Sequence, residues 1–323
     1  MERLMKNGKL HKILHTQWFT LLVVIIVISV VTGMVNPRFF RLANIINIFE
    51  QISTLGVVAS GAAIMIISGN FDISVGSIIG LSASVMAMMI KAGVPIWVVV
   101  PCGILIAIVC DAFVGFTSIV FHAPSFITSL ASSSIFKGIA LALTSATLQT
   151  IFGKFSFLGS ARVFGVVPLM FILGIIVYLV VYFILKLTRF GRRVYAIGSN
   201  PQAAYLSGIN VKGSKMLFFI INGTLVGIAA TMLLSRIGAA GASTGAGIEM
   251  QAIGAVVIGG TPISGGKGGI LGTFLGVLLM GLISNSLNML QASPYLQELA
   301  TGALIILAVA VSALSNRNGK ASM

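Results

Sequence analysis

The chain contains few charged residues, and acidic ones are especially scarce. Of its 323 residues, 6 are Asp or Glu, 20 are Lys or Arg, and 57% are hydrophobic. A soluble domain could not bury so much apolar surface without leaving a large exposed remainder. The composition therefore excludes an ordinary soluble protein and predicts an all-α, polytopic membrane protein.

Histidine and cysteine are also too scarce to suggest a catalytic or metal centre. His11, His15 and His122 are scattered along the chain, whereas a metal site or proton relay needs several such side chains together. Cys102 and Cys110 lie on one predicted helix about 12 Å apart, which is too far for a disulfide. No serine lies in a Gly-x-Ser-x-Gly motif. We expect no enzymatic activity, cofactor or metal on this chain, although an active site assembled from several loops remains an alternative.

About ten apolar segments are candidates to cross a bilayer, which takes about 20 residues per helix. The first of them follows a basic tail and lacks a small-residue cleavage site, so we interpret it as a retained helix and not as a removed signal. No linker divides the chain, and we treat residues 1–323 as a single transmembrane domain. The segments are 18–35, 45–68, 75–91, 94–120, 125–148, 164–187, 215–236, 247–263, 269–290 and 296–314.

The formal net charge of +14 is explained by where the basic residues lie. In a soluble protein this charge would suggest nucleic-acid binding, but a membrane protein retains Lys and Arg on its cytoplasmic side. With ten spans, 13 of the 20 basic residues fall on inner segments, namely the tail 1–17, the loop 188–214, the tail 315–323 and, beside these, Lys186, Lys215 and Lys267. We therefore expect both termini to be cytoplasmic and no nucleic acid to be bound.

The loop 188–214 contains the signals of a short capped helix. Ser199 and Asn200 offer N-cap side chains, Pro201 suits the first helical position, and Gly208 supplies a left-handed stop. Because this helix lies between two membrane spans and must face the cytosol, we interpret it as a docking site for another protein.

Two glycine-rich loops, 67–80 and 258–272, resemble each other in sequence. An internal repeat is one explanation, since transporters often carry repeats with interrupted helices near the pathway; convergence by composition is the other. The run 265–268 does not match a phosphate-binding loop, because Thr261 and Gly268 occupy positions that require Gly and Ser or Thr. We expect that this chain does not itself bind ATP.

Two charged residues, Asp111 and Lys137, fall clearly within predicted spans, where a charge is costly. They lie on consecutive helices, within about 5 Å of each other in depth. This placement predicts a structural salt bridge between them, because each charge would relieve the cost of the other. A substrate or gating contact is the alternative.

Other polar residues in or beside the spans are candidates for a hydrated route for a polyhydroxylated solute. Asp72 precedes the third span and could instead cap its helix. Glu249 could similarly be only a helix-start carboxylate. Hydrogen bonds between helices would explain the remaining residues equally well, Asn222 among them. The candidate pathway residues are Asn47, Gln51, Asp72, Ser74, Glu249, Gln251, Asn285 and Asn288.

Three motifs, over residues 68–77, 191–210 and 249–261, together resemble the ribose-type permeases of bacterial ABC importers. This family also serves galactose, xylose, allose and autoinducer-2. The resemblance implies a permease subunit in the bacterial inner membrane that works as one of two copies, either identical or different. It also implies a cytoplasmic ATPase that holds ATP and Mg, and a periplasmic or lipid-anchored solute-binding protein. The family's coupling segment maps onto Gly198, Asn200, Pro201, Ala203, Ala204, Gly208 and Ile209.

The function expected from these features is inward transport of a small hydrophilic solute, most simply a monosaccharide, driven by ATP hydrolysis on the partner. Arg38, Lys154 and Arg162 on the outer face are expected to meet acidic residues of the binding protein. Passage of autoinducer-2 or a similar polyol is an alternative within the family. An ion-coupled secondary transporter, which would need several acidic groups through the midplane, and a polytopic transferase are alternatives outside it.

Overall fold

The computed structural model describes residues 17–293, 295–306 and 310. The predicted tails lie outside these ranges except for Gln17, and so do His11, His15 and the last part of the tenth apolar segment. Within the described ranges the chain forms a helical bundle, as its apolar composition predicts.

Each of the ten predicted apolar segments overlaps one helix, which confirms the prediction of an all-α polytopic membrane protein. Among the described residues, 6 helices are long and apolar enough to cross a membrane, and the other apolar stretches are shorter, the first of them counted from Leu21 to Val35. In chain order these helices are α1 (Gln17–Val35), α2 (Leu42–Ile67), α3 (Val75–Lys91), α4 (Ile96–Val120), α5 (Ser125–Thr144), α7 (Leu169–Leu187), α10 (Val211–Ile237), α11 (Ile248–Ile258), α12 (Ile270–Met289) and α13 (Tyr295–Ile306).

Short elements connect the apolar helices. A 3₁₀ helix spans Pro37–Phe40, and three short α-helices are α6 (Phe157–Ser160), α8 (Arg189–Ser199) and α9 (Pro201–Leu206). The four two-residue strands of the described chain form two antiparallel pairs. In one pair Gln149 of β1 (Gln149–Thr150) lies opposite Ala240 of β4 (Ala239–Ala240). In the other, Arg162 of β2 (Arg162–Val163) lies opposite Pro168 of β3 (Val167–Pro168).

The helices differ in how far they are enclosed by protein. In α2, 89% of the apolar window is buried, compared with 22% in α5 and 28% in α7. Apolar side chains that stay exposed on a long helix are what contact with lipid requires. The protein core is therefore built around α2, α3 and α10, while α5 and α7 lie at the periphery.

Glycine allows α10 to approach α4 closely. A Cβ atom at Gly227 would lie 2.6 Å from the Ile104 Cα atom, and one at Gly223 would lie 2.9 Å from the Ala107 carbonyl oxygen. Membrane helices gain packing contacts in this way, because small residues let backbones meet.

Two non-helical segments lie next to short helices of the bundle, and the first of them falls within the predicted glycine-rich loop 67–80. Residues 68–74 separate α2 from the 17-residue helix α3, and residues 238–247 precede the 11-residue helix α11. The second segment packs on α3, because a Cβ atom at Gly80 would lie 2.8 Å from the Ala242 carbonyl oxygen. Irregular backbone at this depth is tolerated where protein covers it.

Candidate coupling surface and polar centre

The sequence folds residues 188–210 into two capped helices at one end of the bundle. Thr188 accepts a hydrogen bond from the Gly191 amide at the start of α8. The Asn200 side chain accepts from the Gln202 and Ala203 amides at 3.0 Å each, which caps α9. Pro201 occupies the first turn of α9. We call this end of the molecule the coupling end.

The helix α9 has the local structure that the sequence predicts, with small differences. Gly208 adopts φ of 81°, the left-handed stop expected there. Asn200 is the N-cap, so Ser199 is not, and the helix ends at Leu206. The eleven-residue helix α8 that precedes it was not expected from the sequence.

Most of α9 is exposed. Ala204 is buried and Ile209 is half-buried just beyond the helix, while Ala203 is exposed. Tyr205 and Leu206 follow each other at the end of the helix and are 69% and 77% exposed. Beside α9, an open cavity of about 1270 Å³ extends to the turn between α4 and α5. An apolar tip next to an open cavity is a surface suited to another protein.

A contact between backbones joins the coupling end to both glycine-rich loops. The Gly266 amide donates to the Ile67 carbonyl oxygen at 2.8 Å. A Cβ atom at Gly198 would lie 1.8 Å from that same oxygen and 2.9 Å from the Gly266 nitrogen. We call Ile67, Gly198 and Gly266 the glycine junction. It places α8 directly against the end of α2 and the loop 258–272.

Side chains of α8 add to this contact. The Tyr195 hydroxyl donates to the Gly268 carbonyl oxygen at 3.0 Å, and the Ser199 hydroxyl approaches the Gly266 carbonyl oxygen at 3.5 Å. Burial raises the pKa of Tyr195, so its hydroxyl stays protonated and remains a donor. Movement of α8 would therefore be transmitted to the loop 258–272.

A buried polar centre lies deeper in the bundle, where the segment 68–74 meets α4 and α10. Asp72 accepts from the Ser74 amide and hydroxyl through Oδ1, at 2.8 and 2.5 Å. The Asn222 amide nitrogen donates to Asp72 Oδ2 at 2.9 Å and to Asp111 Oδ2 at 2.7 Å. Asn222 and Asp111 have no exposed surface. We call Asp72, Asp111 and Asn222 the polar centre.

The predicted pair between Asp111 and Lys137 is wrong. Asp111 points into the bundle toward Asn222, whereas Lys137 is exposed on α5. The prediction rested only on the similar depth of the two residues in the membrane. In the structure, the Asp111 side chain on α4 faces the inside of the bundle and the Lys137 side chain on α5 is exposed. The capping prediction for Asp72 is also not met as stated, because Ser74 occupies the N-cap of α3 and Asp72 bonds to it.

Glu249 and Gln251 lie at the start of α11. Glu249 accepts from the Gly247 amide at 3.2 Å, as expected for a helix-start carboxylate. Its other oxygen faces α3, because a Cβ atom at Gly76 would lie 2.3 Å from Glu249 Oε2. Gln251 is half-buried. The start of α11 therefore lies against the start of α3, next to Asp72.

The remaining candidate pathway residues lie elsewhere. Asn285 forms a reciprocal amide pair with Asn44, at 3.0 and 2.9 Å, which joins α12 to α2. Asn288 is exposed and accepts from Gln297. The structure thus brings Asp72, Ser74 and Glu249 together, and it separates them from a second group near Asn285. Asn47 is exposed and Gln51 half-buried on α2.

At the end opposite the coupling end, Glu50 pairs with two arginines. Its carboxylate lies 2.5 Å from Arg162 Nη2 and 3.4 Å from Arg236 Nε. Arg162 was expected to meet a binding protein, but within this chain it already has a partner. Lys154 and Arg38 are exposed.

Two functional features were missed in the sequence. The double role of Asn222 depends on how α4, α10 and the segment 68–74 meet, which no local pattern reveals. The exposed tip of α9, Tyr205 and Leu206, carried no distinct signal, because the same loop contains other apolar residues that the structure buries, such as Val194 and Ile197. Within the described ranges, no three His, Cys, Asp or Glu side chains are arranged to hold a metal ion.

Comparison with known proteins gives matches that are all named as transport permeases. Residues 44–309 match the family described as the permease component of branched-chain amino acid transport systems. The chain is 35% identical to the ribose import permease protein RbsC of Haemophilus influenzae over 292 residues, which cover 89% of this chain and 90% of the relative. It is 36% identical to the D-allose transport system permease protein AlsC of Escherichia coli, over 91% of both chains.

A third relative is the xylose transport system permease protein XylH of Escherichia coli, 30% identical over 95% of this chain and 94% of the relative. No solved structure matches this chain.

Proposed function

This chain belongs to the family described as the permease component of branched-chain amino acid transport systems, and we propose that it is the membrane-spanning subunit of an ATP-driven importer for a monosaccharide. The resemblance to ribose-type permeases inferred from three sequence motifs is confirmed by the family match and by the relatives. The relatives are named for the transport of ribose, D-allose and xylose, which makes a pentose or hexose the first solute to test.

The structure of the coupling end is the observation that best supports an external source of energy for transport. A short capped helix with an apolar exposed tip stands at one end of the bundle, and a backbone contact at Gly198 links its base to two glycine-rich loops. One of these loops leads into the polar centre through Asp72. A partner that moved α8 and α9 as a rigid body would therefore displace both glycine-rich loops.

The partner would be a cytoplasmic ATPase that carries ATP and Mg. The coupling end would then face the cytosol, with both chain termini on the same side, as the distribution of Lys and Arg indicates. The opposite end, with Lys154 and Arg38 exposed, would receive a solute-binding protein. A second permease copy, identical or not, would complete the passage.

Docking of the ATPase on α9 is tested with a matched pair of substitutions. Leu206→Glu places a charge on the exposed tip of α9, and Leu148→Glu places the same charge on an exposed leucine near β1 at the opposite end. Loss of a hot-spot contact costs about 2 kcal/mol or more, so we expect retention of the ATPase on the purified permease to fall about thirtyfold or more for the first variant.

Leu148→Glu should retain the ATPase as well as the unchanged protein does. Equal retention by both variants would show that α9 is not the docking site.

Uptake competition among ribose, allose and xylose in the reconstituted importer would identify the solute. Failure of every sugar to compete would contradict the assignment to monosaccharides.

A further inference from the structure

The polar centre places two carboxyl groups on one amide. Asn222 donates one amide hydrogen to Asp72 and the other to Asp111, at 2.9 and 2.7 Å. Asp72 is 7% exposed, and the other two side chains are not exposed at all. Asn222 lies eleven residues into α10, about 17 Å from its start, so the centre is deep within the bundle.

The hydrogen bonds in the centre are unequal. Asp72 accepts three, from the Ser74 amide, the Ser74 hydroxyl and Asn222. It also lies just before the N-terminus of α3, where a negative charge is favoured. Asp111 accepts one, from Asn222, and its Oδ1 atom has no partner. The Asn222 carbonyl oxygen also lacks a donor.

No cation offsets this arrangement among the described residues. The ion pairs found there both belong to Glu50. Lys91 on α3 donates to Gln149, and Lys137 on α5 is exposed. Arg236 lies at the far end of α10 and pairs with Glu50. Lys212 and Lys215 lie in the first two turns of α10, away from Asn222, and line the open cavity at the coupling end.

Two other titratable groups approach the pair. The Cys110 thiol neighbours Asp111 on α4 and interacts with it electrostatically. The Glu249 carboxyl at the start of α11 interacts electrostatically with Asp72, and its Oε2 atom has no hydrogen-bond partner. Two ionised carboxylates held by one amide in such surroundings would repel each other strongly, because little water is present to screen them.

We propose that the polar centre is a proton-binding site in which Asp111 carries the proton and Asp72 remains ionised. A proton from solvent forms an O–H bond on the unpartnered Asp111 Oδ1, which lowers the charge of the pair from −2 to −1. It also turns that atom into a donor, the kind of group that the centre lacks. Asp72 keeps its charge because three donors and the start of α3 stabilise it.

The bound proton has a consequence for the interrupted helix. Asp72 belongs to the segment 68–74, and its contact with Asn222 ties that segment to α10. With Asp111 neutral the segment can stay seated in the bundle, and loss of the proton would push the two carboxyl groups apart. The site thus stabilises the position of the segment, whether or not this chain transports a sugar.

Infrared spectroscopy of the purified full-length protein tests the assignment directly. A protonated buried carboxyl group gives a carbonyl stretching band that shifts in deuterium oxide and that carboxylates lack. We expect this band in the unchanged protein, and we expect Asp111→Asn to abolish it. Asn has the shape of a protonated Asp, so the melting temperature of Asp111→Asn should change by less than about 2 °C.

Two further variants serve as comparisons. Glu50→Gln removes a buried carboxylate that has two arginine partners, and it should leave the band in place. Asp72→Asn removes the ionised partner and should lower the melting temperature by about 5 °C or more.

Absence of the band from the unchanged protein, or its persistence in Asp111→Asn, would overturn the proposal. Loss of the band in Asp72→Asn but not in Asp111→Asn would show that Asp72 carries the proton, which contradicts the proposal. A melting temperature that rose with sodium or potassium in the unchanged protein, and not in Asp111→Asn, would show that a metal cation takes the place of the proton and would likewise overturn it.

Discussion

Replacing Gly198 by alanine should uncouple ATP hydrolysis from transport. The added Cβ atom would lie 1.8 Å from the Ile67 carbonyl oxygen and 2.9 Å from the Gly266 nitrogen. Both neighbours are backbone atoms, which cannot move aside as a flexible side chain can. To reach an ordinary contact distance, α8 and the end of α2 must separate by about 1.5 Å.

A separation of this size would disturb the other contacts of the junction. The hydrogen bond from Tyr195 to the Gly268 carbonyl oxygen is 3.0 Å long and would stretch beyond bonding distance. Overpacking of a tight contact typically costs about 1–3 kcal/mol. If that strain destabilises the state in which α8 contacts the end of α2, the coupling between the ATPase and the permease weakens. A cost of this size corresponds to a decrease in the coupling factor of between about fivefold and 150-fold.

The assay is the number of sugar molecules imported per ATP hydrolysed by the reconstituted importer. We expect Gly198→Ala to hydrolyse ATP while importing several-fold less sugar per ATP. Gly269→Ala is the matched control, because it lies in the same loop region as Gly266, adopts ordinary extended backbone and has open space at its Cβ position. Normal coupling in Gly198→Ala, with an unchanged melting temperature, would refute the reasoning.

Three further predictions concern stability and docking. Asn285→Leu should lower stability by about 1–3 kcal/mol in thermal or denaturant unfolding, because it leaves the oxygen of the buried Asn44 amide without its donor. The double variant Asn44→Leu with Asn285→Leu should recover part of that loss, and a strictly additive result would contradict the pairing. Arg162→Glu should destabilise the protein by about 1 kcal/mol, because it places a second acid beside Glu50 and the arginine is partly exposed. Lys154→Glu should leave unfolding unchanged and reduce uptake that depends on the binding protein, and unchanged uptake would remove Lys154 from the docking surface.

Local structure at the coupling end could be predicted from the sequence because its signals are contiguous. Asn200, Pro201 and Gly208 each favour one backbone conformation at one position, and together they determine where α9 begins and where the chain turns. The apolar segments were predictable for a similar reason, since a membrane span needs a long apolar run that no other structure requires.

Contacts between distant segments were not predictable in the same way. Depth along a helix follows from residue counting, and it correctly placed Asp111 well inside the bundle. Rotation about the helix axis depends on packing, and the structure turns Asp111 toward Asn222 and Lys137 outward. The resemblance between the two glycine-rich loops suggested a shared role, but their meeting at Gly198 required the three-dimensional arrangement.

The central claim is that the energy for transport comes from a separate ATPase that acts through α8 and α9. The most direct test is sugar accumulation in proteoliposomes that contain this permease, with the ATPase and the binding protein supplied together or omitted one at a time. We predict accumulation only when both partners and ATP are present. Accumulation driven by an ion gradient, with this chain as the sole protein in the membrane, would contradict the account.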